Sequence, residues 1–441
     1  MKFTRSLEEF RDSVLLFGIL TFSLPLKTPA IQSFLESILQ ISFPIQLSTY
    51  TLFLPFCLGI SVLFHLRRIP EVWSQVKTPL LLMAMLFVWM WLGAWFSEWR
   101  GHSLKHAGRY SIHFFVFLTL LLLVTAQNLK FIISVTLVWF SIISGLTFAD
   151  YLISSWQLES YLNVFGLKQE IYWKSESGRW SSFFENPNPY GIASLTFLGL
   201  SLYAFTQKQW FVASIVLIFS VFGIAISGSR NSIIIFMILG LAIPFTKLIS
   251  KKAKIKNFWK ILTGLMVGSI ITIFLMGQIY LNFSQRSHRT MARLNQSIQT
   301  LDFEKFDPRI GLFRLAVEYG IQNPSFLGVG VKNFGYAVSE EATGQWASAF
   351  RSYNEQWNAH NALLTIWIEM GWVGLFLALG FLTSWFWKFR RASFWLMASV
   401  LTLCLGQILD YFIWQITFMT VQSLIFVLMA ASSNYGSSKE P

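Results

Sequence analysis

The feature that most constrains this chain is a series of long apolar runs separated by shorter polar segments. The runs are about 15 to 25 residues long, the length that a helix needs to cross a hydrocarbon core of about 30 Å. The pattern predicts an all-α, polytopic membrane protein with about twelve transmembrane helices. The predicted spans lie near residues 13–26, 46–66, 78–96, 109–126, 131–153, 188–206, 210–227, 231–249, 261–280, 361–384, 392–409 and 411–430.

The composition points the same way. Charged residues make up 12% of the chain, against roughly 25% in soluble domains. The 19 Trp and 44 Phe residues suit a protein that places rings in lipid and at both membrane interfaces. Ser13–Leu26 lacks a small-residue cleavage site, so we expect it to be a span and not a removable signal peptide. Cys57 and Cys404 each lie in an apolar run, which favours buried packing over a disulfide framework or a metal site.

The basic residues predict an orientation. A cytoplasmic N-terminus places 18 Lys and Arg residues inside and 8 in the short outer loops, which is the bias that the positive-inside rule describes. Both termini are then cytoplasmic. The basic stretch 247–260 is interpreted as a topology anchor at anionic lipid, and not as a nucleic-acid site.

Residues 281–360 break the pattern of short loops. This polar outer segment carries eight Lys and Arg residues, and connections longer than about 15 residues are usually functional or disordered. We interpret it as a folded, helical outer-face cap. The predicted organisation is a bundle of nine spans over 1–280, the cap over 281–360, and three spans with a short cytoplasmic tail over 361–441.

His360 is the first candidate for chemistry, because it lies where the cap re-enters the membrane. A histidine with a near-neutral pKa can orient or deprotonate an attacking hydroxyl. An ionisable group at the start of a span is a functional candidate by default. The alternative is an interfacial histidine that only caps the span.

Arginines on the outer face form the second group of candidates. Arg230 lies in the tight outer turn SGSRNS, where the positive-inside rule disfavours a basic residue. A guanidinium can hold a phosphate with two hydrogen bonds. The alternative is an arginine that reaches lipid headgroups. Arg309 follows Pro308 at a predicted helix start, which is a natural anion site. Arg314 either faces the same ligand or pairs with Glu318 on the helix surface.

Four further residues are weaker candidates. Arg179, in GRWSSFFENPNPYG, and Arg109, at the outer start of the fourth span, are placed where they could meet a phosphate or serve a structural role. Asn188 belongs to the Asn-Pro-Asn-Pro turn that starts the sixth span. Glu369 lies nine residues after His360, on nearly the opposite side of the helix, so we do not expect it to be the direct partner of His360.

Taken together, the outer segments offer cations and an imidazole where a membrane-borne anion could be held. This arrangement suits transfer from a lipid diphosphate, because the cations would stabilise the diphosphate leaving group electrostatically. It suits glycosidase chemistry poorly, since no Asp/Glu pair is evident. No nucleotide-binding glycine loop occurs either, so the energy must enter with the substrate.

Four motifs, in order, resemble those of the O-antigen ligase and polymerase superfamily. They are FENPNPYG for its F-x-N-P-N segment, SGSRN for its S-x-S-R turn, DPR…R with NPSFLGVGVKNF for its R…P-x-x-G-x-G-x-x-x-F stretch, and HNALLTIWIEMGWVGL for its H-N-x-x-L…E-x-G-x-x-G signature. Each motif is weak alone, but the ordered set is specific. It covers most of residues 178–374.

The resemblance implies an inverting, metal-independent glycosyltransferase of the GT-C type in the bacterial inner membrane. Its donor is then an undecaprenyl diphosphate-linked glycan, its acceptor lipid A-core or another glycan, and no cofactor, metal or nucleic acid is expected. By motif match, His360 orients or activates the acceptor hydroxyl on the periplasmic side, and Arg230 and Arg309 hold the diphosphate. Arg314, Arg179 and Arg109 are further diphosphate candidates, with supporting roles for Asn361, Glu369 and Asn188.

Within this superfamily three activities compete. A ligase transfers finished glycan to lipid A-core, a polymerase transfers it to another lipid-linked repeat, and a protein O-oligosaccharyltransferase transfers it to Ser or Thr. The cap that ends in the histidine favours ligase, then polymerase, then protein transferase. The alternative outside the enzymes is a lipid-glycan flippase, but transporters usually show matching halves with broken helices at the membrane midplane.

Overall fold

The structure is a computed structural model. It describes residues 2–24, 26–27, 32–33, 36–37, 49–152, 168–169, 180–184, 186–229, 231–237, 308–339, 358–410 and 415–437. These residues are predominantly helical, as predicted. A short antiparallel pairing of β1 (Leu26–Lys27) with β2 (Lys168–Gln169) is the one addition to the predicted helical class in the described residues.

Most of the helices overlap predicted spans, but the first, third and fourth begin nine or more residues earlier than predicted. In chain order they are α1 Lys2–Phe22, α2 Thr49–His65, α3 Ile69–Phe96, α4 Arg100–Leu123, α5 Leu129–Leu152, α6 Pro187–Thr206, α7 Trp210–Ser227, α8 231–237, α9 Pro308–Gln322, α10 Phe334–Ser339, α11 Ala362–Lys388, α12 Phe394–Leu409 and α13 Ile416–Ser437.

The protein is a multi-pass membrane protein. In the part of the chain that the structure describes, five stretches are long and apolar enough to cross a membrane, namely Phe53–Phe96, Arg100–Leu123, Leu129–Tyr151, Trp210–Ser227 and Ala362–Lys388. Phe394–Leu409 and Thr417–Ser433 are shorter apolar helices. The predicted span 261–280 and most of 231–249 lie outside the described residues, so the count of twelve stays a prediction.

Residues 67–77, which lie between two predicted spans, are largely helical. A single turn of 3-10 helix, Leu66–Arg68, joins α2 to α3, and α3 then continues through Pro79 with a kink at Val76. Proline removes one backbone N–H and kinks a helix without having to end it. Arg67 and Arg68 therefore lie at a bend between helices.

The chain forms two compact units. Unit 1 consists of Met1–Leu54, Lys130–Arg289 and Ser393–Gly406, and unit 2 of Pro55–Leu129, Thr290–Ala392 and Gln407–Pro441. In unit 1, α6 and α7 pack closely because glycines face hydroxyl side chains across the contact. A Cβ atom on Gly223 would overlap the Ser194 hydroxyl, and one on Gly191 would overlap Ser227 and Ser232. Small residues at such contacts let membrane helices approach closely.

In unit 2, α3 packs against α11 and α4. The helix α11 is interrupted at Gly371, whose backbone takes φ 68° and ψ −173°. That conformation is available essentially to glycine alone, and a Cβ atom there would overlap the Phe326 carbonyl oxygen. The Trp89 indole N–H donates to the Met370 carbonyl over 2.9 Å, so it satisfies one of the carbonyls that the interruption exposes.

The segment 325–330 fills the interruption in α11. Three backbone hydrogen bonds join the two: Val329 N–H to the Ile368 carbonyl (2.9 Å), Gly330 N–H to the Glu369 carbonyl (2.9 Å) and Trp372 N–H to the Ser325 carbonyl (3.1 Å). Irregular backbone inside a membrane protein is tolerated where other parts of the protein cover it. Part of the segment predicted as a cap is thus hydrogen-bonded into a membrane helix.

Candidate active site

His360 lies two residues before α11, in a backbone conformation that only a few residues adopt. Its φ is 48°, in the left-handed region, which is uncommon for residues other than glycine. The buried Asn358 side chain accepts a hydrogen bond from the His360 backbone N–H over 2.8 Å. Asn361 caps the helix, because its side chain accepts from the Leu364 backbone N–H over 3.0 Å. The two asparagines hold the backbone on either side of the imidazole.

Asp410 binds both His360 and Arg309. One carboxylate oxygen lies 2.8 Å from His360 Nδ1, and the other lies 3.0 Å from Arg309 Nη2. The three residues come from separate segments of unit 2: the start of α9, the second residue before α11 and the residue after α12. We call them the His360–Asp410–Arg309 group.

The hydrogen bonds determine how the group is protonated. A carboxylate only accepts hydrogen bonds, so Nδ1 of a neutral His360 carries the proton and Nε2 is left as the basic nitrogen. The Asp410 side chain is 5% exposed, whereas those of His360 and Arg309 are 32% and 24% exposed. A buried carboxylate needs compensation, and Arg309 and the imidazole supply it while keeping partial access to their surroundings.

Arg314 lies five residues further along α9, in a different environment. Its Nε is 3.7 Å from a Glu318 carboxylate oxygen, with both side chains more than half exposed. This is the i,i+4 pair that the sequence offered as an alternative. Exposed pairs of this kind contribute about 0–1 kcal/mol.

Glu369 is buried in α11 and has no part in the His360–Asp410–Arg309 group. Its carboxylate lies near the backbone of Lys332 and Phe334, in the turn that leads into α10. Arg109 lies half-buried on α4, near His106. Asn188 is buried in the first turn of α6, in unit 1, where its N–H donates to the Asn186 side chain over 2.9 Å. Arg230 and Arg179 lie outside the described residues.

The sequence analysis missed Asp410. One signal was available: Asp410 is a carboxylate that falls between the predicted spans 392–409 and 411–430. An ionisable residue flanked by membrane helices is a functional candidate. Asn358 carried no comparable signal, because its role depends on the conformation of His360. In the described ranges, no group of three or more His, Cys, Asp or Glu side chains is placed to hold a metal ion.

The fold and the site define a class of protein: a helical, multi-pass membrane protein. Its candidate site places a buried carboxylate between an imidazole and a guanidinium from separate segments of the chain. The profile of the family described as O-antigen ligase matches residues 215–379, just over a third of the chain. Across this region the chain is similar to the O-antigen ligase family, which confirms the resemblance seen in its motifs. No curated protein matches the chain. The match indicates a role in glycan transfer at a membrane, and the matched region contains His360 and Arg309 but ends before Asp410.

Proposed function

We propose that the protein is an O-antigen ligase-type glycosyltransferase. It transfers a glycan from undecaprenyl diphosphate to lipid A-core at the periplasmic face of the inner membrane, with both termini in the cytoplasm. The observation that carries this proposal is the His360–Asp410–Arg309 group, in which one buried carboxylate joins an imidazole to a guanidinium.

The group suits transfer from a lipid diphosphate with inversion at the anomeric carbon. His360 Nε2 takes the proton from the acceptor hydroxyl, whose oxygen attacks the anomeric carbon from the side opposite the diphosphate. The new bond between carbon and the acceptor oxygen forms as the bond to the diphosphate oxygen breaks, and the electron pair leaves with the diphosphate. Asp410 stabilises the imidazolium that results, as a carboxylate does beside a catalytic histidine elsewhere.

Arg309 is placed to act on both parts of this reaction, namely the activation of the acceptor and the departure of the diphosphate. Its pairing with Asp410 over 3.0 Å orients the guanidinium, and its partial exposure lets the same group approach the leaving diphosphate, where a positive charge is most effective. Arg230 is proposed as a second cation for the diphosphate. Arg109, Arg179 and Arg314 remain weaker proposals for the same substrate, and Asn361, Glu369 and Asn188 are proposed as supporting residues.

Two other acceptors define the alternative activities. A polymerase would use another lipid-linked repeat, and a protein O-oligosaccharyltransferase would use Ser or Thr hydroxyls. A flippase would move the lipid-linked glycan without forming a new glycosidic bond. Of these, only the flippase has no use for an imidazole whose basic nitrogen is set by a carboxylate.

The proposal is tested with purified protein, undecaprenyl diphosphate-linked glycan and each acceptor in parallel. We expect His360→Ala and Arg230→Ala to abolish transfer while the protein stays folded. Arg390→Ala is a matched control, since Arg390 is exposed and stacks on Trp387 at the far end of α11, 4.6 Å from the ring centroid. Normal transfer by both His360→Ala and Arg230→Ala contradicts the proposal, as does movement of the lipid without any new glycoconjugate.

A further inference from the structure

We propose that Trp99, His102 and Tyr336 form a saccharide-binding platform that holds one sugar of the glycan substrate. The proposal rests on the proposed function, because it assigns a second contact to the same class of substrate. The three residues belong to unit 2. They come from the turn between α3 and α4, the first turn of α4, and α10.

The rings of the platform pack on one another. Trp99 and Tyr336 are stacked, with ring centroids 5.6 Å apart and planes inclined by 23°. His102 meets Tyr336 edge-on at 5.2 Å. All three side chains are partly exposed. The Trp99 and Tyr336 rings each have an apolar face and a polar edge, which match a sugar with its face of C–H groups and its rim of hydroxyls. His102 Nε2 is buried, so the His102 ring contributes its packing against Tyr336.

A hydrogen-bonded support holds the platform in place. His102 Nδ1 lies 2.9 Å from Asn333 Oδ1, and Asn333 is fully buried. The Asn333 amide donates to the Ser97 hydroxyl over 2.8 Å and to the Val329 carbonyl over 3.0 Å. Ser97 itself donates to the Val329 carbonyl over 2.6 Å. A site held by such supporting bonds loses little entropy when a ligand binds.

Two neighbouring aromatic residues serve as a comparison, because they have the exposure of ordinary membrane-interface rings. Trp95 and Phe96, in the last turn of α3, are 53% and 69% exposed, as expected for rings in the aromatic belt. The Arg100 guanidinium lies over the Trp95 ring at 3.4 Å. Trp99 differs from both, because its ring stacks on Tyr336, a residue of the segment that leads towards the active site.

The platform lies at the same end of unit 2 as His360. The contact of Trp89 with Met370 sets the register of the antiparallel helices α3 and α11. From the level of this contact, α3 runs about 10 Å to its end at Phe96. The start of α11 lies about 12 Å from the contact in the same direction. The short helix α10 joins the two sites, since Phe334 packs in one apolar cluster with Ala359 while Tyr336 belongs to the platform.

The experiment measures binding of free oligosaccharides to the full chain in lipid nanodiscs by saturation-transfer difference NMR. Two probes are used. The first is the oligosaccharide released by mild acid from the lipid-linked pool of the expressing cells, and the second is the core oligosaccharide released from their surface lipid. We expect Trp99→Ala to weaken binding of one probe by about fivefold. Trp95→Ala is the matched control and is expected to leave both affinities unchanged.

The probe that responds identifies whether the platform holds the donor or the acceptor sugar. Trp99→Phe keeps a ring and is expected to retain most of the affinity, which separates ring loss from misfolding. Equal effects of Trp99→Ala and Trp95→Ala, or unchanged affinity for both probes, overturn the proposal. Binding of undecaprenyl diphosphate without sugar reports on the proposed function separately, and Trp99→Ala is expected to leave it unchanged.

Discussion

Replacing Asp410 by asparagine tests whether the carboxylate sets the protonation of His360. Asparagine has nearly the same shape, so packing is preserved, but it has one acceptor oxygen where aspartate has two. Arg309 offers only N–H donors, so the amide oxygen turns towards Arg309 Nη2, 3.0 Å from the carboxylate oxygen that it replaces. The amide NH₂ group then faces His360 Nδ1. Since Nδ1 must accept, the proton moves to Nε2, the nitrogen that the reaction needs as a base.

The size of the effect follows from two losses. His360 takes the wrong tautomer, and the imidazolium loses a negative charge 2.8 Å away. The same substitution in a serine protease triad lowers turnover by about 10⁴. Here Arg309 already neutralises part of the Asp410 charge, so the electrostatic loss is smaller. We expect kcat to fall by about 10² to 10³.

The assay compares initial rates of glycan transfer by wild-type protein, Asp410→Asn, His360→Ala and the double variant, all at saturating donor. Residues that act as a unit show strongly non-additive losses, so the double variant should be no slower than His360→Ala. Thermal unfolding of each variant in detergent checks that the fold is intact. A kcat for Asp410→Asn within about threefold of wild type, or additive losses in the double variant, refutes the assigned role.

Three further predictions concern stability, measured as the midpoint of thermal unfolding in detergent. Gly371→Ala is expected to cost about 2 kcal/mol or more, because its φ of 68° leaves no room for a Cβ atom; an unchanged midpoint contradicts the interrupted helix. Asn361→Ala is expected to cost about 1 kcal/mol through loss of the cap on Leu364, and Asn361→Ser should restore most of it. Arg314→Ala is expected to cost less than about 1 kcal/mol, and a larger loss would show that the exposed pair with Glu318 is not its main contact.

Much of the helical architecture was predictable because hydropathy reports directly on burial in lipid. The expected start of the tenth span at residue 361 agrees with α11 beginning at Ala362. The expected helix start at Pro308 agrees with α9, because proline suits the first turn of a helix. The segment between the predicted spans 46–66 and 78–96 is helical, since two helices can meet at a bend without an irregular connection.

Asp410 and the interruption of α11 were not predictable in the same way. The contact of Asp410 with His360 joins residues 50 positions apart, and hydropathy carries no information on such pairs. The run around Gly371 is apolar apart from Glu369, so its hydropathy is that of an unbroken span. Only the contact with segment 325–330 shows why glycine is needed there. These features depend on tertiary packing, which a single sequence does not display.

The interruption of α11 also explains how a residue in a left-handed conformation can be held in a reactive position. The first part of α11 is a short helix with both ends fixed: Asn361 caps its start, and the backbone of Val329 and Gly330 binds its end. These hydrogen bonds restrain the helix at both ends, which helps to hold His360 in its position beside Asp410. Strain in the His360 backbone costs of order 1–3 kcal/mol, and it persists only where the surrounding structure over-determines the conformation. The two fixed ends of the helix and the Asp410 carboxylate together provide that constraint.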